Sequence, residues 1–179
     1  MGVIVFLRKL HWDAVQSNLL QLQEAIGGKV IRKGFLTRPL YHGSYNNMAL
    51  TINFSTEKFK KSRRNYLDIT IDKKFKNPLT ISSLDWLRER GESVAEYEPI
   101  KISDTNYGLR REKNIRVIKK NQKTEFHEYI KKLHPINFIY FSKNGMLFER
   151  ECQNITHETE YVKLKDTITQ LYNLLEVVE

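Results

Sequence analysis

Two stretches of this chain alternate apolar and polar residues one by one. In "MALTINF", Leu50, Ile52 and Phe54 alternate with Thr51 and Asn53; in "YLDITI", Leu67, Ile69 and Ile71 alternate with Asp68, Thr70 and the following Asp72. A strand turns successive side chains to opposite faces, so a period of two predicts two strands, each with one buried and one wet face. Two such strands close in sequence are most simply neighbours in an antiparallel meander, and their apolar face has to be covered by another part of the chain.

The sequence supplies the cover. Trp12, Val15, Leu19, Leu22 and Ile26 recur at steps of three and four, which puts them on one stripe of a helix over 10–26, and Gly27-Gly28 stops it. At the other end Tyr161, Leu164, Ile168, Leu171, Leu175 and Val178 form a second amphipathic helix, with Glu158 and Glu160 set against its N-terminal dipole. Asn46-Asn47 reads as a two-residue hairpin turn, because asparagine tolerates left-handed backbone angles. Ser82 with Asp85 predicts a short helix start, and Gly91 its end. The stretch "RGESVAEYEPIKISDTNYG" reads as an exposed irregular connection and "NIRVI" as a strand. In "NQKTEFHEYIKKL" Phe126, Tyr129, Ile130 and Leu133 mark a helix face. Asn144-Gly145 between two apolar runs is a strong hairpin signal.

Runs of strands joined by short turns, with helices at both ends, predict an α+β fold: a mostly antiparallel sheet with helices packed on one face and amphipathic N- and C-terminal helices. The 179 residues fit one domain, 1–179; if there are two lobes, they divide near 91–108. The Trp-bearing first helix, Gly43-x-Tyr45 leading into "MALTINF" and "YLDITI", and the closing hairpin plus helix resemble uncharacterised bacterial α+β domains. That resemblance implies the fold and no established activity.

The residue types that carry chemistry are scarce. Cys152 is the single cysteine, so an intramolecular disulfide and the usual zinc sets are excluded. It shares a predicted strand face with Met146 and Phe148 and reads as a buried thiol. His11, His42, His127, His134 and His157 have no metal-ligand spacing, Ser44 in "YHGSY" lacks the glycine-flanked nucleophile turn, and no glycine-rich phosphate loop occurs. No catalytic residue, metal site or cofactor is therefore expected, and the chain is read as a non-enzymatic protein. No apolar run approaches the roughly 20 residues of a membrane span. "MGVIVFLRKL" lacks the charged leader and cleavage site of a secretory signal, so the expected setting is the cytoplasm, without membrane association.

Charge is the more informative property. The net charge of +9 is not spread evenly: residues 29–76 hold twelve Lys or Arg against Glu57, Asp68 and Asp72, and 101–132 hold ten against four carboxylates. Such polarisation attracts an anionic partner. The densest run is "FKKSRRNY", read as the loop between the two alternating strands, where Lys58, Lys60, Lys61, Arg63 and Arg64 are flanked by Phe59 and Tyr66. A second group, Arg110, Arg111, Lys113, Arg116, Lys119 and Lys120, follows Tyr107. Cations neutralise carboxylates or phosphates, and aromatic faces stack on bases. These residues predict a binding or assembly module that docks through a basic face on an acidic macromolecule, a protein surface first, a nucleic acid as the alternative and, behind both, an enzyme with no recognisable motif.

Overall fold

The computed structural model describes residues 2–102, 105–112 and 115–179. In chain order the elements begin α1 (Gly2–Ile26), β1 (Lys29–Ile31), β2 (Leu40–Tyr45), β3 (Met48–Phe59), β4 (Ser62–Ile71), β5 (Leu79–Ser83) and α2 (Leu84–Glu89). They continue β6 (Glu98–Ile102), β7 (Thr105–Arg111), α3 (Lys123–Leu133), β8 (Phe138–Ser142), β9 (Gly145–Cys152), α4 (Ile155–Glu158) and α5 (Tyr161–Val177). The fold is α+β with antiparallel strand pairing, as the alternating patterns require. The chain divides into two compact units, one reaching to Ile71 and adding Glu151–Asp166, the other made of Asp72–Arg150 and Thr167–Glu179. It passes between them at 71/72, 150/151 and 166/167, and 91–108 lies wholly inside the second unit.

In the first unit the strand order is β1-β2-β3-β4, a simple meander. Asn46 and Asn47, at φ 49° and 63°, form the β2–β3 turn with Tyr45 opposite Met48. β3 and β4 then stay in register over ten residue pairs, from Leu50 opposite Ile71 to Phe59 opposite Ser62. Leu50, Ile52, Phe54, Leu67, Ile69 and Ile71 are all buried, while Asn53 and Thr70 are exposed. Trp12, Val15, Leu19 and Leu22 of α1 are buried as their spacing predicts. The Trp12 ring sits 5.7 Å from the Phe54 ring, and the Arg38 guanidinium lies over the indole at 5.9 Å. α1 starts eight residues before the periodic stripe, and these early turns leave Phe6, Leu7 and Leu10 exposed.

Gly43 is demanded by packing. The buried Tyr41 hydroxyl donates to the Gly27 carbonyl at 2.8 Å, and its ring lies so close to Gly43 that a Cβ there would stand 2.2 Å from the phenol oxygen. The Gly43-x-Tyr45 pair thus marks a strand that passes under an aromatic ring.

In the second unit the order is β9-β8-β5-β7-β6. The sequence reading differs from the structure here in four places. The stretch read as an irregular connection contains the β6–β7 hairpin, with Glu98 opposite Leu109 and Ile102 opposite Thr105. Pro99 disguised it, and is tolerated because β6 is an edge strand that pairs on one side only. "NIRVI" forms no strand among its described residues; Ile118 makes a single bridge to Val178. The cap of α2 is Ser83, whose hydroxyl accepts from the Trp86 amide at 3.2 Å, whereas Ser82 is a buried β5 residue donating to the Asn137 carbonyl at 2.9 Å. The β8–β9 turn is centred on Lys143-Asn144, one residue before the expected pair, with Ser142 opposite Gly145.

The rest of the second unit follows the expected pattern. Phe126, Ile130 and Leu133 of α3 are buried with Ile139, Phe141, Met146 and Phe148 of the β8–β9 hairpin. Arg150 is buried too, and its guanidinium donates to the Leu133 carbonyl at 2.6 Å and the Pro135 carbonyl at 2.9 Å, tying the end of α3 to β9. Among the described residues no helix is long and apolar enough to cross a membrane.

Since Trp12 joins the helix stripe to β3, Trp12→Ala is expected to destabilise the fold by about 3–5 kcal/mol, the usual cost of truncating a buried aromatic. Chemical denaturation followed by circular dichroism measures it.

Candidate functional site

The "FKKSRRNY" run is not a loop but the end of a ladder. β3 continues to Phe59 and β4 starts at Ser62, so only Lys60 and Lys61 make the turn, and Lys60 takes a left-handed φ of 53°. Lys58 and Arg63 face each other across the two strands. Lys58, Lys60, Lys61 and Arg63 are exposed, and no carboxylate pairs with them among the described residues.

Arg64 and Tyr66 do a different job. The Arg64 guanidinium lies over the Phe59 ring at 4.1 Å and pairs with Glu151 at 3.2 Å, while Lys60 approaches the same ring at 5.0 Å. Tyr66, read from the sequence as a stacking surface, is buried, and its hydroxyl donates to Glu57 at 3.0 Å. The reason is geometric: Glu57, Phe59, Arg64 and Tyr66 lie on the ladder face opposite Leu50, Ile52 and Phe54, where they pack on one another. The tip therefore presents four cations on a braced arm, with Phe59 half-buried under Lys60 and Arg64.

The second basic group is arranged otherwise. Arg110 pairs with Glu96 at 3.6 Å and lies over the Tyr97 ring at 5.3 Å; Arg111 pairs with Glu98 at 3.3 Å, and Arg116 with Glu179 at 3.2 Å. Lys119 donates to the Glu176 carbonyl, and Lys120 is exposed with no ion pair among the described residues. Lys113 lies outside the described residues. Most of this group is thus matched within its own unit.

Arg111 leads inward to a feature that no motif announced. A recess of about 260 Å³ is floored by Ile100, Leu109, Val117 and Phe126 and rimmed by Glu98, Arg111, Arg116, Lys123 and His127. Lys123 and His127 stand four apart on α3, a spacing visible in the sequence. The β6–β7 pairing that sets Glu98 beside Arg111 was hidden by Pro99. The Arg111 guanidinium donates to the Ile115 carbonyl at 2.7 Å, and its Nε is buried without an acceptor among the described residues.

Among the described residues no group of three His, Cys, Asp or Glu could hold a metal ion. Cys152 is a buried free thiol. Tyr107 accepts from the Ile136 amide at 3.2 Å, and its hydroxyl lies 2.6 Å from His134 Nδ1. In the first unit Asp68 has its carboxyl raised above the usual range by burial, opposed by a hydrogen bond from Ser55 and the charge of Arg38.

No family model and no curated protein matches the chain. Among solved structures it is similar to the mycobacterial trehalose monomycolate transport factor A, TtfA, at 5% identity and a TM-score of 0.51, over 91% of this chain and 93% of that one. At that identity the likeness establishes the fold alone.

His11, His127 and His134 are all held below the ordinary imidazole value, in each case chiefly by desolvation. With folded-state values below unfolded ones, the folded protein binds fewer protons than the unfolded chain once pH drops through about 6.5, so stability is full above that point and lost below it. Thermal melts are expected to show a falling Tm from about pH 7 to pH 5, with Asp68 contributing in the opposite sense only at the acid end.

Proposed function

We propose that this protein is a non-enzymatic binding or assembly module that docks the tip of its β3–β4 arm on an acidic macromolecular surface, in the first instance another protein. The supporting observation is the contrast between cations. Arg64, Arg110, Arg111 and Arg116 have carboxylate partners within their units, whereas Lys58, Lys60, Lys61 and Arg63 have none among the described residues. Unmatched charges on a braced two-stranded arm raise the local potential and steer an anionic partner at low cost in ordering.

A protein partner is favoured over a nucleic acid by the aromatic residues. Single strands are held by stacking on open rings as well as by charge. Here Tyr66 is buried, and Phe59 is half-buried with Arg64 and Lys60 over it. The arm therefore offers charge without a free stacking face.

Replacing Lys58, Lys60, Lys61 and Arg63 together with glutamine is expected to leave stability within about 0.5 kcal/mol per site, as exposed substitutions do. Binding to polyglutamate, followed by fluorescence anisotropy across a salt series, should weaken mainly through the association rate. Duplex DNA is the contrasting probe. Tighter binding to DNA than to polyglutamate, with a log–log salt slope flattened by up to about four contacts at about 0.9 each in the variant, would move the assignment to nucleic acid. Equal binding of both proteins to both probes would remove the arm from the function.

A further inference from the structure

We infer that the recess between the β6–β7 hairpin and α3 is a binding site for a small monocarboxylate with a short apolar or single-ring body. This goes beyond macromolecular docking and uses none of the four arm-tip cations.

The floor and the rim ask for different halves of one ligand. Ile100 and Ile118 line the recess with partly open apolar surface, backed by the buried Leu109, Val117 and Phe126, so the interior favours a hydrocarbon body over water. The rim is cationic with one charge left over. Glu98 answers Arg111, and Glu179 answers Arg116 from outside the recess, but Lys123 has no carboxylate partner among the described residues. His127 adds no second charge at neutral pH, since burial and the neighbouring Lys123 both hold its imidazole below the ordinary value. A single net cation over an apolar floor matches a monoanion.

Arg111 is the second indication. Its guanidinium is fixed in orientation by the Ile115 carbonyl at 2.7 Å, yet Glu98 stands at 3.3 and 3.5 Å, longer than a good charged hydrogen bond. Its charge is answered by Glu98, while its Nε is buried without an acceptor among the described residues. The volume limits the ligand as well: about 260 Å³ falls just under the roughly 300–1,000 Å³ of ordinary small-molecule sites. A chain of a few carbons or one ring fits, and a long lipid tail does not.

The test titrates the full chain with hexanoate and benzoate, using hexanol and inorganic phosphate as half-ligands, followed by isothermal calorimetry and by NMR of the imidazoles. Hexanoate and benzoate are expected to bind saturably and to raise the pKa of His127 without moving His157, which lies outside the recess. Lys123→Gln, an exposed helix position, should weaken hexanoate binding about tenfold, the equivalent of one charge-assisted hydrogen bond. Arg111→Gln should weaken it at least as much if that variant folds; Lys123→Gln decides the matter if it does not. Hexanol binding as well as hexanoate would leave only an apolar crevice, and phosphate binding as well would leave only a charge cluster. Either result overturns the assignment, as would an unchanged affinity in Lys123→Gln, an unmoved His127 or the absence of saturation at millimolar hexanoate.

Discussion

The length of the β3–β4 ladder is the constraint from which most of the first unit follows. Ten consecutive pairs carry the two strands well past the stretch where Leu50, Ile52 and Phe54 meet Leu67, Ile69 and Ile71. The inner half is a half-buried sheet that needs an apolar helix, and the Trp12 stripe answers that need. The outer half is braced by polar and cationic contacts: the Tyr66 hydroxyl on Glu57, the Arg64 guanidinium over Phe59 and on the Glu151 carboxylate, and Arg38 on Thr56. Two-stranded ribbons are marginal in water unless side chains brace them. The residues that make "FKKSRRNY" look like a grip are therefore divided by geometry into those that hold the arm up and those that it holds out.

The same logic of internal matching organises the second unit. Its arginines are consumed by structure in graded ways. Arg150 is buried and answers the last carbonyls of α3, Arg110 lies on a tyrosine ring beside a glutamate, and Arg111 orients on a loop carbonyl. Planar guanidinium groups suit such work because they donate in several directions while stacking on rings. A high count of basic residues thus says less about partners than the places where cations without carboxylates gather, and four of them gather at the arm tip.

Elements with a strong period were legible in the sequence. The alternation of β3 and β4, the α1 stripe, the α3 face and the Asn46-Asn47 turn all appear where the pattern put them. What escaped reading depended on contacts between distant residues. Ser82 and Ser83 are equally good caps in sequence, and only the bond from Ser82 to the Asn137 carbonyl assigns one to the strand and the other to the helix. Pro99 and the surrounding carboxylates argue against a strand until an edge position removes the objection. Tyr66 looked like a stacking surface because the alternation of β4 sets it on the face opposite Leu67 and Ile69; its burial comes from that second face being occupied near the arm's base. The recess at Arg111 was invisible for the same reason, since its walls come from a hairpin and a helix that no local pattern links.

The backbone of the arm tip sets conformation against charge. The β2–β3 turn fills its left-handed positions with Asn46 and Asn47, residues suited to that geometry, but the β3–β4 turn places Lys60 at φ 53°. A lysine in the left-handed region costs about 1–2 kcal/mol relative to glycine, and asparagine would relieve much of it. Replacement by either would stabilise the turn and remove a charge in one step.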